Sequence, residues 1–267
     1  MFDYAHTTAL VTGVSSGLGA TFAERLAARG ADLVLVARTE STLEALAGRL
    51  RAAHGIAAAV IAADLTDPGA PAAIHAHTQA RGLRVNLLVN NAGFALGGAF
   101  LEHALRDEED QIAVNVTALT ALAHRFGREM SGFGRNAGII NIASNAAFQA
   151  LPYAAVYAAS KAYVLLFSEA LGRELRHQGT HVLAVCPGPV QTGFWDRLGS
   201  QLSPSVMDTP ERIVGQALAA FERRTAVLVP GRLQNRVQAF ATRLMPRAAL
   251  IRIAETSSRR IMMAGRV

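Results

Sequence analysis

Thr8-Ala-Leu-Val-Thr12-Gly13-Val14-Ser15-Ser16-Gly17-Leu18-Gly19 is the segment on which the reading of the fold turns. Its first five residues are apolar or β-branched without alternation, which is what a strand covered on both faces requires. A helical pattern over 18–29 follows the glycines at once. Gly13, Gly17 and Gly19 let the backbone turn tightly and come close to a pyrophosphate, whose charge sits at the amino end of the helix. A strand, a glycine turn and a helix in that order read as a dinucleotide-binding turn.

Outward from this segment the same alternation continues. Strand-like runs occupy 32–36, 58–62, 85–89, 138–142, 181–185 and 226–229, and helical patterns occupy 40–53, 68–81, 105–131, 155–178 and 210–223. The last helix has a clear start, with Thr209 as cap, Pro210 at the first helical position and Glu211 behind it. Strands separated by helices build right-handed βαβ units. The expectation is an α/β fold: a doubly wound parallel sheet of about seven strands, helices on both faces, in one domain over 1–231.

Composition narrows the class. The 267 residues are 51% hydrophobic and 17% charged, which excludes a disordered chain. Cys186 is the only cysteine, so no internal disulfide can form, and a reducing, cytoplasmic setting is expected. No basic-then-apolar leader precedes the first strand, and the longest uncharged run, 136–160, is too polar for a membrane span. The net charge of +6 is uneven: residues 232–267 hold eight arginines against Glu255, whereas the rest carries 18 bases against 19 acids. A neutral body with a basic tail is weak evidence for nucleic acid, and none is expected as a partner.

Several motifs carry chemistry. Val36-Ala37-Arg38 ends the second strand, where an NAD site would place a carboxylate; an arginine there suits the extra phosphate of NADP, although a solvated helix-start arginine is the plain alternative and Glu40 lies close. Asn90-Asn91-Ala92-Gly93 follows the fourth strand, where small residues admit a ligand to the backbone, or simply make a turn. Tyr157 and Lys161 stand four apart on a helix, hence on one side, and a cation close to a phenol stabilises the phenolate. Of 26 basic residues, Lys161 is the single lysine. Ammonium is a compact point charge where guanidinium is broad and planar, so the choice reads as chemical. Ser144, thirteen residues before Tyr157, ends the fifth strand and could hold a substrate oxygen or cap a turn. Asn115 falls mid-helix among apolar neighbours and must find partners. His177 and His181 are separated by Gly179 and share no helical face, and no metal site is expected.

These residues together resemble the classical short-chain dehydrogenase/reductase family over roughly residues 5–231. The resemblance implies a Rossmann fold, NADP(H), a homo-oligomer (dimer or tetramer), and carbonyl reduction reversible as alcohol oxidation. By it, Gly13, Ser15, Ser16, Gly17, Leu18, Gly19, Arg38, Leu65, Asn91, Ala92 and Gly93 belong to the cofactor site, and Asp64 contacts the adenine. Pro187, Gly188, Val190 and Thr192 meet the nicotinamide end. Ser144 orients the carbonyl, Tyr157 exchanges the proton, Lys161 binds the nicotinamide ribose and lowers the tyrosine pKa, and Asn115 holds Lys161 through water. Other readings are a non-catalytic NADP-binding redox sensor and a membrane-peripheral protein acting through its tail.

Two regions bear on substrate and location. Phe194, Trp195, Leu198 and Leu202 form an expected lid which, with Phe148 and Leu151, favours an apolar carbonyl or alcohol. In the extension 232–267, Leu233, Val237, Phe240 and Leu244 make one apolar stripe beside Arg232, Arg236, Arg243 and Arg247. That stripe either folds back over the domain or dimer, or lies on a membrane surface.

Overall fold

The computed structural model describes residues 2–198, 202–242 and 244–262. In chain order the main elements are β1 (Thr8–Thr12), α1 (Gly17–Ala27), β2 (Asp32–Ala37), α2 (Glu40–His54), β3 (Ala58–Ala62), α3 (Ala70–Ala80) and β4 (Leu87–Asn90). Then come α4 (Leu105–Ile112), α5 (Leu119–Met130), β5 (Gly138–Ile142), α6 (Ala155–Glu174), β6 (His181–Val185), α7 (Phe194–Arg197), α8 (Pro210–Glu222), β7 (Val227–Leu228), α9 (Leu233–Ala241) and α10 (Arg247–Met262). The strands pair in parallel in the order β3-β2-β1-β4-β5-β6-β7. The expected doubly wound Rossmann sheet is therefore present. Its order reverses between β1 and β4, and the loops after those two strands border the crevice where such sheets bind ligands.

The unbroken apolar strands have the explanation expected of them. Along β1, Ala9 and Val11 pack with Phe22, Leu26, Leu218 and Phe221 on one face, whereas Leu10 packs with Ile74, Leu122 and Phe126 on the other. Both faces are buried, so alternation would have placed polar groups in a core.

The structure departs from the sequence pattern in several places. The fourth strand starts at Leu87 rather than Val85 because Asn86 turns its amide to neighbouring chain ends, accepting from Thr8 N at 2.9 Å and donating to Asn136 O at 2.8 Å. The helix expected over 105–131 is interrupted, since Ala113–Ala118 is π-helical between α4 and α5. Asn115, 1% exposed, sits in that wide turn. In the extension, Leu233, Val237, Phe240 and Leu244 are 71, 58, 61 and 72% exposed, and Asn235 and Ala239 form the buried face of α9. The apolar stripe thus points away from the body instead of folding onto it. Arg243 and Arg266 lie outside the described residues. No described helix is long and apolar enough to cross a membrane.

His181 opens β6 buried beside the Phe221 ring, 5.2 Å between centroids, and its Nε2 has no hydrogen-bond partner among the described residues. Burial, assisted by the Arg224 charge, pulls its pKa down to about 4. The fold holds the ring neutral, whereas an unfolded chain protonates it near pH 6.5. Its contribution is therefore complete above about pH 6.5 and is lost as pH falls toward 4, by at most ~1.4 kcal/mol per pH unit. Urea unfolding of the wild type and His181→Leu at pH 7, 6 and 5 should show the wild type losing ground to the variant as pH drops. Parallel pH dependences would contradict this.

Candidate active site

The two loops at the sheet's reversal are tied together. Thr12 Oγ1 accepts from the backbone N–H of Asn91 and of Ala92, each at 3.0 Å. Asn91 Nδ2 donates back to the carbonyls of Thr12 at 2.9 Å and Gly13 at 3.1 Å. Gly13 has φ +70°, and a Cβ there would sit 2.8 Å from Ala92 Cα, so only glycine lets the loops approach this closely. Ser16 precedes α1 without capping it by its side chain, which leaves the helix's first N–H groups facing the cleft as an anion site.

Arg38 and Asp64 stand at the carboxyl ends of β2 and β3, on the same cleft. Asp64 Oδ1 accepts from both the N–H and the hydroxyl of Thr66, each at 3.0 Å. These bonds, with the Arg38 charge nearby, hold its carboxyl below the usual carboxylate range. The cleft encloses about 900 Å³. Of the expected cofactor set, Gly13, Ser15, Ser16, Gly17, Leu18, Arg38, Asp64, Leu65, Asn91, Ala92 and Gly93 line it, as do Pro187, Gly188, Val190 and Thr192. Gly19 does not line it; it packs against Gly13 O and Asn91 inside the loop. Glycine cradle, open helix end, basic residue after β2 and cleft volume fit a bound nicotinamide dinucleotide.

Tyr157 and Lys161 lie one turn apart on α6, and both line the cleft with Ser144. Lys161 is 5% exposed and its Nζ donates to the Ile142 carbonyl at 2.8 Å. Ser144 lies two residues beyond β5 rather than at its end. Its Oγ accepts from Ala146 N at 3.1 Å, capping the short turn Asn145–Phe148, and it lines the cleft beside Tyr157. Asn115 does not line the cleft. Its Oδ1 accepts from Phe94 N at 3.1 Å, while its Nδ2 donates to Phe94 O at 2.9 Å and to Ser160 Oγ at 3.0 Å. Ser160 Oγ in turn donates to Tyr157 O at 2.7 Å. Asn115 therefore reaches the Tyr157 backbone through Ser160. The π-helical turn is what frees an asparagine for this link. The sequence reading passed over Ser160, although it stands between Tyr157 and Lys161.

Burial governs the charges. It pushes the Tyr157 phenol up to about 12, against the lowering effect of nearby Ser144, and pulls Lys161 down to about 8, against the neighbouring Cys186. Lys161 Nζ is 5.8 Å from the phenol ring centre and already donates to Ile142, and among the chain's own groups burial of the phenol outweighs the ammonium. Tyr157 consequently keeps its proton at neutral pH.

The other end of the cleft is apolar. Leu151, Phe194, Trp195, Leu198 and Leu202 line it, as expected of the lid, whereas Gly199–Gln201 lie outside the described residues. Phe148 does not take part; it packs on the cluster of Leu119, Val164 and Leu165. The extension supplies Met245, Leu250, Ile253 and Ile261, which the sequence reading missed because small Ala254, Ser257 and Ser258 dilute the apolar pattern of α10. Arg259 anchors that helix, donating through Nε and Nη2 to the Tyr153 hydroxyl at 2.9 and 2.7 Å. Among the described residues no three or more His, Cys, Asp or Glu gather to hold a metal.

The short chain dehydrogenase family model matches residues 7–203, and the chain belongs to that family. It is 32% identical over 258 residues to the ketoacyl reductase HetN of Nostoc sp., covering 95% of this chain and 87% of that protein. Among solved structures, a short-chain dehydrogenase from Sphingobium yanoikuyae in complex with NADPH superposes with a TM-score of 0.80 at 40% identity, covering 89% of this chain and 93% of that one. A bulky-bulky ketone specific alcohol dehydrogenase from Comamonas testosteroni gives 0.76 at 33%, covering 90% and 93%. The protein is an oxidoreductase of this family that uses a nicotinamide cofactor on a small-molecule substrate.

With its phenol pushed up to about 12, Tyr157 should add no phenolate absorbance below about pH 10. Ultraviolet difference titration of the wild type against Tyr157→Phe checks this; a phenolate lost with the substitution and titrating near pH 7 would overturn it.

Proposed function

We propose that the chain is an NADPH-dependent carbonyl reductase, reversible as an alcohol dehydrogenase, acting on an apolar ketone, aldehyde or secondary alcohol. The observation that carries this reading is that Ser144, Tyr157 and the buried Lys161 line one cleft, beside its apolar end. When bound, the cofactor supplies the hydride to the carbonyl carbon. Ser144 holds the carbonyl oxygen and Tyr157 donates its proton to that oxygen. Lys161 would hold the ribose beside the nicotinamide, and its ammonium balances the phenolate charge left when Tyr157 gives up its proton. Asn115 keeps Tyr157 in register through Ser160. A phenol that stays protonated at neutral pH favours the reductive direction.

Arg38 supports NADPH over NADH, because a guanidinium binds the ribose phosphate with charge-assisted bonds and no carboxylate stands in the NAD position. The apolar lining from α7, α10 and Leu151 supports a bulky apolar substrate. In this reading residues 1–231 are the dinucleotide-binding and catalytic domain, and the extension 232–267 closes the substrate end through its described helices α9 and α10. Exposed Leu105, Ile112, Tyr163 and Leu166 on α4 and α6 support a homo-oligomer. The exposed stripe of α9, among eight arginines and one acid, supports peripheral contact with an anionic lipid surface as a second role of the extension.

Tyr157→Phe should keep fold and cofactor binding and lower turnover by about 10² or more, measured with a panel of apolar ketones. Near-normal turnover would remove Tyr157 from the mechanism. Arg38→Ala should weaken NADPH about tenfold or more and leave NADH within about twofold, by fluorescence titration; equal losses would make Arg38 structural. Vesicles containing phosphatidylglycerol should sediment the wild type, and Val237→Asp/Phe240→Asp should stay in solution. Equal sedimentation of the two would end the lipid reading.

A further inference from the structure

Asp208 is 3% exposed and lies outside the sets described above, between the lid and α8. Its backbone makes an isolated parallel bridge with Val190: Asp208 N donates to Pro189 O, and Gln191 N donates to Asp208 O, each at 2.9 Å. Its carboxylate turns the other way. Oδ2 accepts from Arg232 N at 3.2 Å and Asn235 Nδ2 at 3.5 Å, and Oδ1 accepts from Arg212 Nη1 at 3.0 Å. Arg232 precedes α9 with no side-chain cap of its own, so a distant carboxylate satisfies the helix's amino end. Gly231, at φ +86°, brings the chain so close to this carboxylate that a Cβ there would overlap it.

The same helix presses on the other flank of that segment. A Cβ on Gly188 would lie 2.5–2.6 Å from the three end atoms of the Asn235 side chain. Trp195 Nε1 adds a bond to Val190 O at 2.9 Å. Pro187–Thr192 is thus held from the lid and from the extension; Asp208 is bonded to both the segment and the start of α9, and Asn145 makes a second link, its N–H donating to Pro187 O at 2.8 Å and its Nδ2 to Gln238 Oε1 at 3.3 Å. The adjacent edge of α9 lines the cleft with Gln238 and Ala241.

We infer that Asp208 is a positioning residue that couples seating of the extension to the backbone segment at the nicotinamide end of the cofactor site. This rests on the reading of Pro187–Thr192 as that end. The link is reciprocal: a cofactor that orders the segment tightens α9 over the substrate end, and an unseated α9 loosens the segment. The adenine half, held by α1, Arg38 and Asp64, lies outside the link.

The test uses the full chain. Asp208→Asn should raise the NADPH dissociation constant at least fivefold and leave that of adenosine 2′,5′-bisphosphate, which lacks the nicotinamide, within twofold. Hydrogen exchange of residues 233–241, followed without ligand, should quicken at least tenfold. Equal losses for the two ligands, or unchanged NADPH binding, overturn the coupling. Unchanged exchange overturns the Asp208–α9 link. Wild-type protein that binds no NADPH would instead overturn the cofactor reading. Gly188→Ala supplies a variant with Asp208 intact: its methyl should weaken NADPH, and adding Asn235→Ala should restore binding to within twofold. Failure of that rescue counts against contact between α9 and the segment.

Discussion

Lys161 is the only lysine in the chain, and keeping its ammonium out of water constrains everything around it. An isolated buried cation is costly and lowers its own pKa to escape that cost. Here the pull reaches about 8, so the group still carries its charge at neutral pH. What holds it is the Ile142 carbonyl at the end of β5, an acceptor fixed by the sheet. Tyr157, one turn earlier on α6, is partly buried in the cleft wall, and that burial raises its phenol, so it keeps its proton at neutral pH. An ammonium that favours charge and a phenol that favours neutrality, side by side, store a proton with a cation ready beside it.

The sheet makes this arrangement possible. Because the strand order reverses at β1 and β4, their loops leave a crevice, and the ends of β5 and β6 deliver Ser144 and Pro187–Thr192 to its far side. The π-helical turn at Asn115 is the local departure from regular structure that serves the site, since a regular helix would direct that side chain differently. It joins α5's approach to α6 through Ser160 and keeps the tyrosine in place from behind.

Much of this was legible in the residues. The glycine turn, the unbroken apolar strands and the Tyr157–Lys161 spacing depend on local geometry and periodicity, and the elements appeared in the expected order with their ends shifted by up to two residues at strands such as β4 and β7. What escaped was tertiary. The wide turn at Asn115 is dictated by partners on Phe94 and Ser160, far away in sequence. The cleft-lining face of α10 is diluted by alanine and serine and shows no strong stripe. The stripe that is strong, on α9, faces outward, and the inward face carries Ala239 and Asn235, the latter closer against Gly188 and Asp208 than a leucine could come. Apolar periodicity alone carries no information about such close approaches.

The central claim is that a compact, buried ammonium beneath Tyr157 is required, rather than positive charge as such. Lys161→Arg tests it most directly, because it keeps the charge and replaces the point donor with a broad planar one. The measurement is the pH–rate profile of both directions for wild type and variant. Turnover should fall at least about tenfold, and the alcohol-oxidation profile should move to higher pH, since the phenolate becomes harder to form. Superimposable profiles would contradict the account.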